Sequence, residues 1–228
     1  MKKTAFAIAL ATLAAGANAA VISYDFGNPI VEATTEITQT GSLGFFDSAL
    51  GTLTSVTLTA YGAGTTSITL TNNGSQTELA RATSTVELHF FSSDGALDGI
   101  FGVGNPFLTL VFGAGLVAQP IGVGASISTG ELKDTDEKSI GSDLYDGLLG
   151  LQRAGGGDFT VTCSSLSGIS IVGGGGNIAS SQSTTAGCGM EITYTYDEAP
   201  TTNVPEPGSL ALLGLGLVGL GALRRKKA

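Results

Sequence analysis

The chain of 228 residues holds 35 Gly, no Trp, one His and two Cys, and only 13% of it is charged. Glycine is about 15% of the chain, roughly twice the usual share, and acids outnumber bases 19 to 10, a net charge of −9. These figures exclude a basic nucleic-acid footprint and a Cys/His zinc centre; with 42% of residues hydrophobic they also exclude disorder driven by charge.

The chain opens on Met1-Lys2-Lys3 and runs through an apolar stretch to Ala17 and Ala19, which stand at the −3 and −1 positions of an A-x-A site. That order of charged, apolar and small-residue regions is the layout of a secretory signal peptide over residues 1–19, with signal peptidase cutting after Ala19.

Residues 20–199 follow as one exported domain, long enough to bury a core. Over residues 20–203 the only bases are Arg81, Lys133, Lys138 and Arg153, against eighteen acids, a net charge of −14. Such a surface favours solubility and repels nucleic acid.

The pattern along this body has period two. Val56, Leu58 and Ala60 alternate with Thr57, Thr59 and Tyr61, and Ile68 and Leu70 with Thr69 and Thr71. Further on, Val86, Leu88 and Phe90 alternate with Glu87, His89 and Phe91, and Ile192, Tyr194 and Tyr196 with Thr193 and Thr195. Each set places apolar groups on one sheet face and Thr or charge on the other. Turn compositions fall between: Asn72-Asn73-Gly74-Ser75, Ser93-Asp94-Gly95, Gly102 to Pro106 and Gly173 to Asn177. The pattern predicts an all-β fold, an antiparallel β-sandwich or jelly-roll-like body, with most glycine in turns. No strong amphipathic helix of ten or more residues is expected, and Ser142 to Gly150 accommodates one helical turn.

Candidate sites are few. Cys163 and Cys188, 25 residues apart in a chain routed to an oxidising compartment, read as a structural disulfide. Glu131, Asp134, Asp136, Glu137, Asp143 and Asp146 offer oxygen ligands for calcium but fail the EF-hand spacing at Lys138 and Ser139. The alternative is a solvated loop with Lys133 and Lys138 as partial counter-charges. Asp94 and Asp98, beside Gly95 and Gly99, are weaker still. His89 sits on the polar side of a strand beside Glu87 and Phe91, and no G-x-S-x-G elbow supplies a nucleophile. Asn73-Gly74-Ser75 is formally a glycosylation sequon and reads as a hairpin turn. No catalytic, cofactor-binding or metal-ligating residue is assigned, and a non-enzymatic role is expected. A carbohydrate- or calcium-binding module and a secreted hydrolase are the other readings.

The C-terminus departs from the body. Residues 200–208 form a linker containing Val204-Pro205-Glu206-Pro207, residues 209–223 are apolar or small, and Arg224-Arg225-Lys226-Lys227 close the basic tail 224–228. Residues 209–223 would make a transmembrane helix of about 22 Å, short against a ~30 Å hydrocarbon core, with the basic cluster held cytoplasmic. Gly214 to Gly219 matches G-x-G-x-x-G, but without a preceding strand or a βαβ unit the match carries no dinucleotide site.

Val204-Pro205-Glu206-Pro207, the short glycine-and-leucine helix and the terminal Arg/Lys cluster resemble, in that order, the PEP-CTERM protein-sorting signal. The resemblance implies export from a Gram-negative bacterium, an inner-membrane-anchored precursor, and cutting near Pro205-Glu206-Pro207 by an exosortase-like membrane protease. The mature body would then lie between the periplasm and the cell surface or beyond it, in the setting of extracellular polysaccharide or biofilm. Phe45-Phe46-Asp47-Ser48-Ala49-Leu50-Gly51-Thr52-Leu53, Tyr145-Asp146-Gly147 and Ile192-Thr193-Tyr194-Thr195-Tyr196 resemble the choice-of-anchor E domain over roughly residues 21–197. That resemblance implies an exported β-domain without assigned catalytic residues.

Overall fold

A computed structural model describes residues 19–102 and 104–199. The expected signal peptide ahead of Ala19, the linker from residue 200, the helix 209–223 and the basic tail lie outside the described residues. Among the described residues no helix is long and apolar enough to cross a membrane.

The body is two antiparallel sheets with their apolar faces together. One sheet carries the strands β1 (Ala19–Phe26), β2 (Ala33–Thr34), β5 (Gly51–Asn72), β9 (Ser126–Ser128), β10 (Leu132–Gly141) and β13 (Ile178–Glu198). Its order is β1-β13-β5-β10, with β2 also on β13 and β9 also on β5. The other carries β3 (Thr38–Gly44), β6 (Glu78–Ser92), β7 (Leu108–Phe112), β8 (Gln119–Ile121) and β12 (Asp158–Gly173) in the order β3-β12-β6-β7, with β8 also on β6. A short parallel pair, β4 (Phe46–Asp47) with β11 (Gln152–Arg153), lies apart from both. The all-β expectation holds.

Period-two burial explains the long strands. In β5 every second residue from Val56 to Asn72 is buried, and in β6 every second one from Ala80 to Phe90. Their partners continue the pattern: Leu58 is opposite Ile192, and Val161 opposite Ser92. Val56, Leu58, Val86, Leu88, Leu110, Val161, Met190, Ile192 and Tyr194 form the larger core lobe. Ile68, Leu70, Ala80, Ala82 and Ile121 form a smaller one. Between the lobes sits a polar layer that is fully hydrogen-bonded, as burial requires. Thr66 Oγ1 lies 2.6 Å from Thr184 Oγ1, and Gln182 Nε2 donates to both Ser84 Oγ (2.9 Å) and Thr184 Oγ1 (2.6 Å).

Three local features differ from expectation. The runs around Leu58 and Leu70 are one strand of 22 residues, continuous through Gly62-Ala63-Gly64. Gly62 and Gly64 face inward, where a Cβ at Gly62 would overlap Leu88 Cδ1 and one at Gly64 would lie 3.0 Å from Leu110 Cδ1 and Phe112 Cζ. These glycines admit side chains of the opposite sheet; they do not turn the chain. Second, Asn72 to Ser75 does not close a hairpin. It carries the chain from β5 in one sheet to β6 in the other. Buried Asn72 holds this corner, its Nδ2 donating to Gln76 O (2.7 Å) and Ile121 O (2.9 Å) and its Oδ1 accepting from Gly74 N–H (2.8 Å). Third, a helix α1 (Gly95–Phe101) follows β6. Asp94 caps it through a hydrogen bond from Ala96 N–H, and Leu97, Ile100 and Phe101 are its buried face. Phe101 meets Phe90 and Phe107 with ring centroids 6.0 and 5.3 Å away. The single turn expected near residue 146 is present as a 3-10 turn, Asp146–Gly150.

The sandwich is sealed differently along its two sides. On one, Gln39 of β3 reaches across the gap, accepting from Cys188 N–H (2.9 Å) and donating to Val31 O (2.8 Å). On the other, β10 and β7 approach each other as the outermost strands of their sheets.

Candidate functional site

Cys163 on β12 and Cys188 on β13 form a disulfide with Cα atoms 6.5 Å apart. The bond joins the two sheets through the core, and both residues are buried. It closes the loop containing Gly173 to Gly176, where the chain passes from one sheet to the other.

Of the six acidic candidates, Asp134, Asp136 and Glu137 lie in a strand, while Glu131 precedes it and Asp143 and Asp146 follow it. Residues 132–141 are strand β10, paired with β5 so that Asp134 is opposite Gly64 and Asp136 opposite Gly62. Both aspartates therefore lie on the inward-facing side of an edge strand. Asp134 Oδ2 accepts from Val111 N–H (2.7 Å) and Asp136 Oδ2 from Thr109 N–H (3.1 Å). Lys138, on the same side, places Nζ 4.2 Å from the centroid of the Phe107 ring. The carboxylates thus complete the ladder of β7, whose outer N–H groups face no strand. Glu137 lies on the opposite face, level with Tyr61. Among the described residues no group of three or more His, Cys, Asp or Glu is placed to hold a metal ion.

The other two candidate aspartates are engaged in the fold. Asp94 caps α1 and its Oδ2 accepts from Arg153 Nη2 (3.1 Å). Asp98 Oδ1 accepts from Ser92 N–H (2.8 Å).

His89 projects from the outer face of β6, directly opposite Ser164 of β12, with Nε2 3.6 Å from Glu87 Oε2. A serine, a histidine and a carboxylate therefore share one open sheet face. A triad chemistry needs a nucleophile hydrogen-bonded to the base and donors for an oxyanion, and no hydrogen bond joins Ser164 to His89 among the described residues. The arrangement is a cross-strand pair beside a surface His–Glu contact, worth little on its own.

The outer face of the β1-β13-β5-β10 sheet is a field of hydroxyls. Ser55 is opposite Thr195, Thr57 opposite Thr193, Thr65 opposite Thr185 and Thr69 opposite Ser181. Neighbouring hydroxyls pair across strands, as in Ser23 with Thr193 and Thr59 with Ser139, both at 2.8 Å. Such pairs stabilise a sheet; charge is interspersed among them, with Lys133 opposite Thr65, Glu137 opposite Tyr61, Glu191 opposite Thr59 and Glu32 accepting from Thr185.

Two tyrosines have raised pKa values. Burial, reinforced by the Asp25 and Glu191 carboxylates, pushes the Tyr61 phenol from its ordinary value near 10 up to about 12. Its hydroxyl donates to Phe26 O at 3.1 Å. Burial also raises Tyr194, whose hydroxyl donates to Gly44 O (2.9 Å). A phenol held protonated in the folded state stabilises below its unfolded pKa, and that stability is lost as pH rises through the folded value. Alkaline titration followed by phenolate absorbance should show two of the five tyrosines lagging behind the rest, with stability falling from about pH 10 upward. Simultaneous ionisation of all five in the folded protein would contradict this.

The sorting residues Val204, Pro205, Glu206 and Pro207, the basic cluster Arg224, Arg225, Lys226 and Lys227, and Ala17 of the expected cleavage site lie outside the described residues; Ala19 is the first residue of β1. Ala19 is opposite Asp197 in the ladder, so β1 begins and β13 ends at the same end of the sheet.

Comparison with known proteins locates one motif. The profile of the PEP-CTERM protein-sorting motif matches residues 203–226. No curated protein matches the chain. Among solved structures the chain is similar to that of Desmodium yellow mottle tymovirus, at 10% identity over 86% of this chain and 98% of that one, with a TM-score of 0.18. It is also similar to infectious bursal disease virus Gx strain, at 13% identity over 90% of this chain and 49% of that one, with a TM-score of 0.16. Scores this low bear on neither fold nor function. The sorting motif implies an exported protein whose membrane-anchored precursor, in a Gram-negative bacterium, is processed by an exosortase-type membrane protein.

Proposed function

We propose that the chain is a non-enzymatic surface protein whose β-sandwich is carried to the cell envelope by its tail. There it serves as a structural or adhesive component of the surface or the polysaccharide matrix. The observation that carries this reading is the sorting motif at residues 203–226, which begins four residues after Ala199, the last described residue. In this reading signal peptidase removes residues 1–19 and leaves Ala20 at the start of β1, opposite Tyr196. The tail 209–228 holds the precursor in the inner membrane until cutting near Pro205-Glu206-Pro207 releases or re-anchors the body. The body is a choice-of-anchor E type domain, a reading supported by its all-β build and by the burial of Phe46 beside Tyr194 and Tyr196. The engagement of the candidate carboxylates in capping and edge contacts supports the non-enzymatic reading.

The test is cell fractionation with intact-mass analysis of the wild type and a Pro205→Ala/Glu206→Ala/Pro207→Ala variant. The wild type should lose both terminal segments and leave the inner membrane. The variant should lose only residues 1–19 and stay there. Identical processing and location of the two would end the sorting claim.

The hydroxyl face favours a second reading, a module that binds neutral polysaccharide through rows of Ser and Thr. Glycan-array binding that is lost in a Thr57→Val/Thr193→Val variant would establish it.

A further inference from the structure

The edge ladders of the two sheets break at the same level. In one, the pairing of β10 with β5 ends at Thr66 and that of β9 begins at Thr69. In the other, β7 reaches Ser84 of β6 and β8 begins at Ala80. Behind these gaps lies a cleft of about 320 Å³ that opens into the smaller core lobe. Its walls are Ile68 and Leu70 of β5 against Ala80 and Ala82 of β6. The two alanines create the space, because the later inward positions of β6 carry Val86, Leu88 and Phe90. At the rim Arg81 Nη1 donates to Leu116 O (3.2 Å), and the guanidinium makes no ion pair among the described residues. In a body of net charge −14, a cation without a carboxylate partner stands beside an apolar slot.

We propose that this cleft binds one medium-length aliphatic chain bearing an anionic head, with the tail between the sheets and the head on Arg81. The walls contain no aromatic ring on which a sugar or base would stack; the inner walls are aliphatic, and the polar lining residues Gln119, Ser128 and Thr129 lie with Arg81. The volume lies at the low end for ligand sites, so a short chain fits and a large lipid does not. Arg81 retains N–H donors beyond the one given to Leu116, enough for a charge-assisted bond to a carboxylate.

The probes are decanoate and 1-decanol, titrated into the full chain in nanodiscs and followed by the methyl resonances of Ile68 and Ile127, which line the cleft. Their position separates binding here from partition into the apolar tail. Decanoate should shift both methyls with saturation. Ala82→Leu, which fills the slot, should weaken binding at least tenfold. Arg81→Gln should weaken decanoate about five- to tenfold and leave decanol unchanged. If Ala82→Leu does not fold, Val117→Asp decides, because Val117 is 70% exposed and lines the mouth. It should abolish decanoate binding. Methyls that do not respond at millimolar decanoate, or that respond equally in the wild type, the filled variant and Val117→Asp, would overturn the proposal. An equal loss of decanoate and decanol in Arg81→Gln would overturn the role of the head group.

Discussion

Replacing Cys163 and Cys188 together by alanine should lower the stability of the body by about 3–4 kcal/mol in the chain-entropy description of a loop of this length. For a domain of this size that is a fall in melting temperature of about 10 °C. Two features of the fold make the full effect expected. The bond spans the core between the sheets, where the closed loop is rich in glycine and its unfolded entropy is high. Both sulfurs are buried, so the alanines also lose packing contacts. The unreduced protein should weigh two hydrogens less than the reduced one, and urea unfolding with and without reductant should separate by the same energy. Two alkylatable thiols in the unreduced protein would defeat the prediction, as would an alanine pair that melts with the wild type.

The sandwich is legible in the sequence because burying one face of a sheet imposes a period of two. That is why Val56 to Ala60, Val86 to Phe90 and Ile192 to Tyr196 announce their strands. What escapes the pattern depends on partners far away in the chain. Gly62 and Gly64 carry no side chain that would continue the apolar alternation; only the approach of Leu88 and Phe112 from the other sheet explains them. Asn72 to Ser75 has hairpin composition, yet nothing local says that the next strand belongs to the opposite sheet. The helix Gly95–Phe101 does leave a trace, an Asp N-cap followed by Leu97, Ile100 and Phe101 at helical spacing. Gly95 and Gly99 obscure it, since both lower helix propensity. The acidic stretch misleads for another reason. Inward-pointing charge contradicts the usual strand pattern and makes sense only at an edge.

That edge carries the second large effect. Asp134→Ala/Asp136→Ala leaves Thr109 N–H and Val111 N–H without their acceptors. Water reaches Val111 more easily than Thr109, so each loss should cost about 1–1.5 kcal/mol, near the middle of the range for hydrogen bonds, and the pair about 2–3 kcal/mol. The larger consequence is exposure of the β7 edge. Leu108–Phe112 is an apolar strand whose outer ladder groups would become free to pair with another chain. The double alanine variant should therefore associate as its concentration rises, visible as growth in light-scattering mass under conditions where the wild type stays constant. Asp134→Asn/Asp136→Asn separates the hydrogen bond from the charge. An amide oxygen still accepts from the strand, so the asparagine pair should keep most of the stability while removing two negative charges. Calcium should raise the melting temperature of neither variant nor the wild type, because the Oδ2 atoms of both aspartates already accept backbone N–H groups. If the alanine pair melts with the wild type and keeps its mass, these carboxylates do not hold the edge. If the asparagine pair fails as completely as the alanine pair, it is the charge that holds it, through Lys138 or the field of the acidic body, and the ladder bonds follow from that.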